Sequence, residues 1–179
     1  MSEFNARQIG VVRSEHAVPE NTPIQPVFAE DCRGQIELFP EFEEGLQDIE
    51  GFSHLIILYW LHRADGAKML VKPFLEDKVH GIFATRTPVR PTPIGLSIVR
   101  LLERKGNVLY VKGVDMLDGT PVVDIKPYSV RFDSFPDARS GWMDGVDNAT
   151  AMARGRRGYV STKTNTDNKQ DILVNENPR

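Results

Sequence analysis

The sequence predicts a mainly β chain that closes into a small barrel, with few short helices and no Rossmann fold. Three observations predict it. Short runs of apolar and β-branched residues recur along the first 130 residues, several at a period of two. Proline, glycine and asparagine turn signals separate them. No strand–helix–strand rhythm appears, and none of the 14 glycines stands in a G-x-G pattern that would open a dinucleotide site.

Each element follows from its residues. Residues 8–14 (QIGVVRS) read as a short strand, and residues 34–39 (GQIELF) alternate as a half-buried strand does. Residues 40–49 suit a short helix opened by Pro40, because proline fits a first helical position. Residues 53–62 (SHLIILYWLH) are apolar, β-branched and aromatic, which predicts a strand buried on both faces. The run of residues 55–61 is the longest apolar stretch and far too short to span a bilayer, so no membrane is expected. A helical signal over residues 66–77 is broken at Pro73. Residues 81–87 form another candidate strand. Residues 96–117 form the best hairpin, turning at Lys105-Gly106-Asn107, and residues 121–128 form a last strand.

A chain of 179 residues with 40% hydrophobic and 26% charged side chains can bury a core of its own. The composition shifts near Asp144. Residues 1–143 are expected to fold as the barrel, and the polar segment 144–179 to lack structure of its own. Cys32 is the single cysteine, so no intramolecular disulfide forms. The N-terminus shows no basic region followed by an apolar stretch, which predicts a cytoplasmic protein without a signal peptide. The net charge of −3 is unevenly spread: residues 1–50 hold eleven acidic side chains against three basic ones, residues 51–143 nine against thirteen. That excludes a chain-wide polycation and leaves a basic patch on the middle segment open.

Several chemistries lack their residues. No phosphate loop, G-x-S-x-G elbow or C-x-x-C pair is present, and neither His54 nor His62 has an acidic or thiol partner at ligand spacing, so no metal is expected. Two dense segments remain. In residues 81–101, Pro88, Pro91 and Pro93 stiffen a loop that begins with Arg86 and Arg90. Two guanidiniums fixed before a ligand arrives make a clamp for carboxylate or phosphate. In residues 114–128, the turn Asp118-Gly119-Thr120-Pro121 lies among Asp115, Asp118 and Asp124. That turn is a plain D-G hairpin or a place where a ligand approaches the backbone past Gly119. Fixed arginines and fixed aspartates together suit a zwitterionic, nucleoside-like ligand.

These two segments (GIFATRTPVRPTPIGLS and DMLDGTPVVDIKPY), with FSHLIILYWLH upstream and IGVVRS at the start, closely resemble the TrmO (TsaA-like, YaeB-like) family over residues 9–136. The resemblance implies a homodimeric S-adenosylmethionine-dependent methyltransferase on a β-barrel, here a short form without the further C-terminal domain of bacterial long forms. Its acceptor would be the exocyclic N6 amine of a threonylcarbamoyl-adenosine beside the anticodon of tRNA. The cofactor would touch Pro23, Ile24 and Gln25 in TPIQP, then His62, Arg63, Arg86 and Leu96. It would also touch Asp115, Asp118, Gly119, Thr120 and Pro121. Asp118 is the candidate to hold the amine. Arg90, Arg104, Lys105, Lys126 and Arg131 are the candidates to meet tRNA phosphates. Two alternatives stay open: a methyltransferase with a small-molecule or other modified-base acceptor, and a non-catalytic cofactor-binding module.

Overall fold

Alternation along six strands turns one set of side chains inward, and the strands close around them. The computed structural model describes residues 5–159. The strands are β1 (Gly10–Ser14), β2 (Arg33–Leu38), β3 (His54–Trp60), β4 (Leu70–Val71), β5 (His80–Gly81), β6 (Ile94–Lys105), β7 (Val108–Lys112) and β8 (Pro121–Pro127). The barrel runs in the order β1-β2-β7-β6-β3-β8, all neighbours antiparallel, with β8 returning to β1, while β4 and β5 pair apart as a small ribbon. Val12, Ile36, Leu55, Ile57, Val99, Leu109, Val111 and Val122 project inside and are fully buried, as is Cys32 in the loop before β2. Closure leaves the barrel without a free sheet edge.

The β6–β7 hairpin turns at Gly106-Asn107, with Lys105 paired to Val108 and Gly106 at φ +58°, a conformation glycine takes without strain. Pro40 opens a 3-10 helix, Pro40–Leu46. Among the described residues no helix is long and apolar enough to cross a membrane.

Three expectations are corrected. Strand β3 alternates instead of burying both faces: Leu55, Ile57 and Tyr59 point inside, whereas Ile56 and Leu58 are half-buried on the outer wall and Trp60 is exposed. Residues 81–87 are not a strand. After Gly81 they turn into a 3-10 helix, Ile82–Ala84, because Arg90 Nη1 donates to the carbonyls of both Ile82 and Thr85, at 3.1 and 2.8 Å. In residues 66–77 the strand β4 replaces the helical signal, as the restriction that Pro73 places on the residue before it favours.

The segment after Asp144 also departs from expectation. Beyond the short helix α1 (Val130–Asp133) and a 3-10 helix, Gly141–Gly145, the chain forms α2 (Asn148–Arg156). Asp147 caps α2, accepting from the Thr150 amide at 2.8 Å. The helix docks through a glycine: Gly155 lies against the Phe28 ring, where a Cβ would collide, and its carbonyl accepts from the Ile24 amide at 2.9 Å. Tyr159 then packs on the core. Residues 160–179 of the expected tail lie outside the described residues.

Replacing Gly155 by valine is expected to undock α2 while the barrel stays folded. The Ile24 amide should lose at least about tenfold of its hydrogen-exchange protection, the equivalent of ~1.4 kcal/mol. Unchanged protection would contradict the docking described here.

Candidate active site at the barrel mouth

One end of the barrel gathers the chemistry. β3 ends there, β6 begins there, and the segment between β7 and β8 crosses it. Because β8 pairs with β1, the bend at residues 118–120 lies against the end of β1: Asp118 Oδ1 accepts from the Ser14 amide at 3.1 Å, the Asp118 amide donates to the His16 carbonyl at 2.9 Å, and Gly119 donates to Val12 at 2.9 Å. Gly119 takes φ +75°, the left-handed conformation that the D-G turn requires.

A buried polar chain enters the mouth from the wall. Inward alternation on β6 buries Ser97, whose Oγ donates to Asp115 Oδ1 at 2.6 Å, and Tyr59 Oη lies 3.0 Å from the same Ser97 oxygen. Gly95 makes room for this arrangement, since a Cβ there would collide with the Tyr59 ring. Burial pushes the Asp115 carboxyl up to about 7, against the downward pull of the Ser97 hydrogen bond, its own backbone and the Arg86 charge. The Tyr59 phenol is raised, by burial first and by repulsion from Asp115 second. His16 is buried beside this chain, its Nε2 bonded to the Val114 carbonyl at 2.8 Å.

Two guanidiniums are fixed by neighbouring loops. Arg86, which follows the Ile82–Ala84 helix, donates from Nη1 to Gln25 Oε1 at 2.6 Å. Arg63, just past β3, donates to the Ala17 carbonyl at 2.8 Å. The structure therefore brings Gln25, Arg63, Arg86, Asp115, Asp118, Gly119 and Thr120 to one mouth. Pro121 begins β8 opposite Val11. Pro23 is buried, and Ile24 is tied to α2 through Gly155, so this pair anchors the segment that carries Gln25. His62 is exposed beside Arg63. Leu96 departs from the group: it sits on the outer face of β6, 41% exposed, pointing away from Ser97's side.

The basic residues expected to meet phosphate are mostly occupied. Arg90 holds the Ile82 and Thr85 carbonyls. Arg104 donates to Gly106, Leu46 and Glu50. Lys105 pairs with Glu103 at 2.9 Å and Lys126 with Asp124 at 2.6 Å. Arg131 alone is exposed on α1 with no partner among the described residues. No group of three or more His, Cys, Asp or Glu able to hold a metal occurs among the described residues.

Sequence reading missed Ser97, His16 and the hydrogen bond by which Tyr59 joins Ser97. A signal was available for Ser97: the period of two that buries Val99 buries Ser97 as well, and a buried hydroxyl requires a partner.

Comparison with known proteins bears on these residues. The family model described as the tRNA-methyltransferase O N-terminal domain matches residues 11–134. A probable S-adenosyl-L-methionine-binding protein of Pyrococcus abyssi is 52% identical over 159 residues, 89% of this chain and 86% of that protein. The tRNA (adenine(37)-N6)-methyltransferase of Escherichia coli is 37% identical over 152 residues, 79% of this chain and 65% of that enzyme. A crystal structure of TrmO from Pseudomonas aeruginosa superposes with a TM-score of 0.67 at 38% identity, covering 79% of this chain and 63% of that one.

The shifted carboxyl gives a pH test. Asp115 titrates near 7 in the folded chain and near its ordinary value of 3.8 when unfolded, so between those values the folded state holds the extra proton. The stability this group contributes is present below about pH 4 and is lost as pH rises to about 7, by up to ~1.4 kcal/mol per pH unit. Urea unfolding of wild type and Asp115→Asn across this range should therefore give a difference that moves in the variant's favour up to about pH 7 and is flat above it. A difference flat throughout would refute the shift.

Proposed function

Because the chain belongs to the family of the tRNA-methyltransferase O N-terminal domain, we propose that it is an S-adenosylmethionine-dependent tRNA adenine-N6 methyltransferase. Its acceptor in this reading is the N6 amine of threonylcarbamoyl-adenosine beside the anticodon, and it works as a homodimer in the cytoplasm. One observation carries the reading: the Arg86–Gln25 contact at 2.6 Å and the enclosed Asp115 carboxyl bring opposite charges to a single mouth.

The donor set fits the cofactor. A buried carboxyl suits a cationic ligand, a guanidinium suits its carboxylate, and an amide suits a nucleobase edge. Asp115, Arg86, Gln25 and Arg63 would hold it, with Gly119 offering exposed backbone free of a side chain at the approach. When bound, S-adenosylmethionine supplies an electrophilic methyl group. The chain's own part is alignment and exclusion of water, which count heavily in an in-line displacement. The N6 lone pair is delocalised into the ring, so a hydrogen-bond acceptor on the amine helps. Asp118 is exposed and already fixed through one oxygen by Ser14, which leaves the other to take that proton. An anticodon-loop base is largely unpaired, so little energy is needed to present it.

The apolar outer wall supports the homodimer: Trp60, Leu96 and Ile98 are 38%, 41% and 37% exposed on neighbouring strands. In this arrangement Leu96 meets the second copy or its ligand and not its own mouth. Several relatives are known as S-adenosyl-L-methionine-binding proteins or probable ones, which favours a second reading as a non-catalytic cofactor-binding module.

Calorimetry with S-adenosylmethionine and mass spectrometry of tRNA nucleosides separate these readings. Arg86→Ala should weaken cofactor binding at least tenfold, about 1.4 kcal/mol; a change within twofold would place the cofactor elsewhere. Incubation of the wild-type chain with cofactor and tRNA from cells lacking the methyltransferase should add one methyl group to the threonylcarbamoyl-modified adenosine. Cofactor binding without that mass increment would favour the module.

A further inference from the structure

Most of the basic side chains singled out in the sequence are engaged inside the fold, but the strand register assembles a different set. Arg33 on β2 stands opposite Lys112 on β7, Lys112 opposite Arg100 on β6, and Arg100 opposite His54 on β3. The adjacent Val111, Val99 and Leu55 are fully buried, so alternation puts Lys112, Arg100 and His54 on the outer wall; Arg33 is exposed there too. Three cations thus lie side by side on three successive strands, roughly 10 Å from first to last at the spacing of adjacent strands.

Like charges directly opposite one another destabilise a sheet, and these four strands offer no compensation. They carry two carboxylates, Glu37 and Glu103. Arg13 holds Glu37 at 2.9 Å, and Lys105 holds Glu103 at 2.9 Å. Arg33, Lys112 and Arg100 enter no ion pair among the described residues. The row also adjoins the mouth, since Lys112 is three residues before Asp115. Tyr110 shares the outer face of β7 with Lys112, and its ring, one face of which carries the Lys105 ammonium at 5.1 Å, stands beside the charges. An uncompensated line of cations flanked by an aromatic face matches a ligand with regularly repeated single negative charges and unstacked bases.

We propose that Arg33, Lys112 and Arg100 form the wall along which the phosphodiester backbone of an RNA acceptor lies; the choice of RNA over other polyanions rests on the methyltransferase reading. The test uses the full chain and a labelled anticodon stem-loop RNA, with affinity measured over a range of salt concentrations. The triple variant Arg33→Gln, Arg100→Gln, Lys112→Gln should bind more weakly and reduce the magnitude of the log–log salt slope by about 2, at ~0.7 per lost contact with a single strand. Its affinity for S-adenosylmethionine should stay within twofold. It should melt at or above the wild-type temperature, because it removes repulsion and no ion pair among the described residues, and glutamine keeps most of each side chain's stem. An unchanged slope overturns the proposal. So does a lowered melting temperature, which would make the row structural, or binding to phosphatidylserine vesicles with no binding to RNA. RNA binding that follows the row without methyl transfer would leave the wall standing and remove the acceptor reading. Methyl transfer with an unchanged slope would do the reverse.

Discussion

The return of β8 to β1 is the constraint on which the site depends. Strand β8 is held on one side by β3 and on the other by β1, and that double pairing places the bend before it. Without it, the Asp118 bend would not reach Ser14 and His16, and Asp115 would not be enclosed near Ser97. Closure therefore does two things at once. It removes the free edges that an open sheet of this size would expose, and it ties a hairpin-like D-G turn to the end of β1. The D-G turn weighed from the sequence is held by neighbours that no local reading supplies. Those neighbours lie more than a hundred residues away.

Much of the barrel was legible because its strands obey local rules. Residues 8–14, 34–39, 96–117 and 121–128 alternate or turn as isolated segments would, and the structure keeps them. The misreadings have long-range causes. The turn at Ile82–Ala84 depends on a guanidinium several residues away. The two-faced burial expected of β3 fails because its outer apolar residues line the outside of the barrel. Helix α2 has no apolar stripe to find; it docks through the absence of a side chain at Gly155.

The candidate site was partly legible for the same reasons. The proline-stiffened arginine loop and the aspartate bend were both marked in the sequence, and the loop's Arg86 reaches Gln25 at 2.6 Å while Asp115 is held by Ser97. The chain from Tyr59 through Ser97 to Asp115 was not read, because a tyrosine in an apolar strand and a serine in a β-branched one look like filling until their register is known. Charge was least legible of all. Sequence counts basic residues but not their partners: Arg104 and Lys126 are consumed internally, whereas Arg33 and Lys112, 79 positions apart, become neighbours only through strand pairing.

The burial of Cys32 has a practical consequence. The side chain is enclosed, and desolvation raises its thiol above the ordinary value, so little thiolate is present at neutral pH and alkylating or oxidising reagents find no ready nucleophile. The native protein thus starts with a silent background for sulfhydryl chemistry. A cysteine introduced on the outside of the barrel would carry a fluorophore or spin label alone, and distances across the molecule can be measured without first removing the natural one.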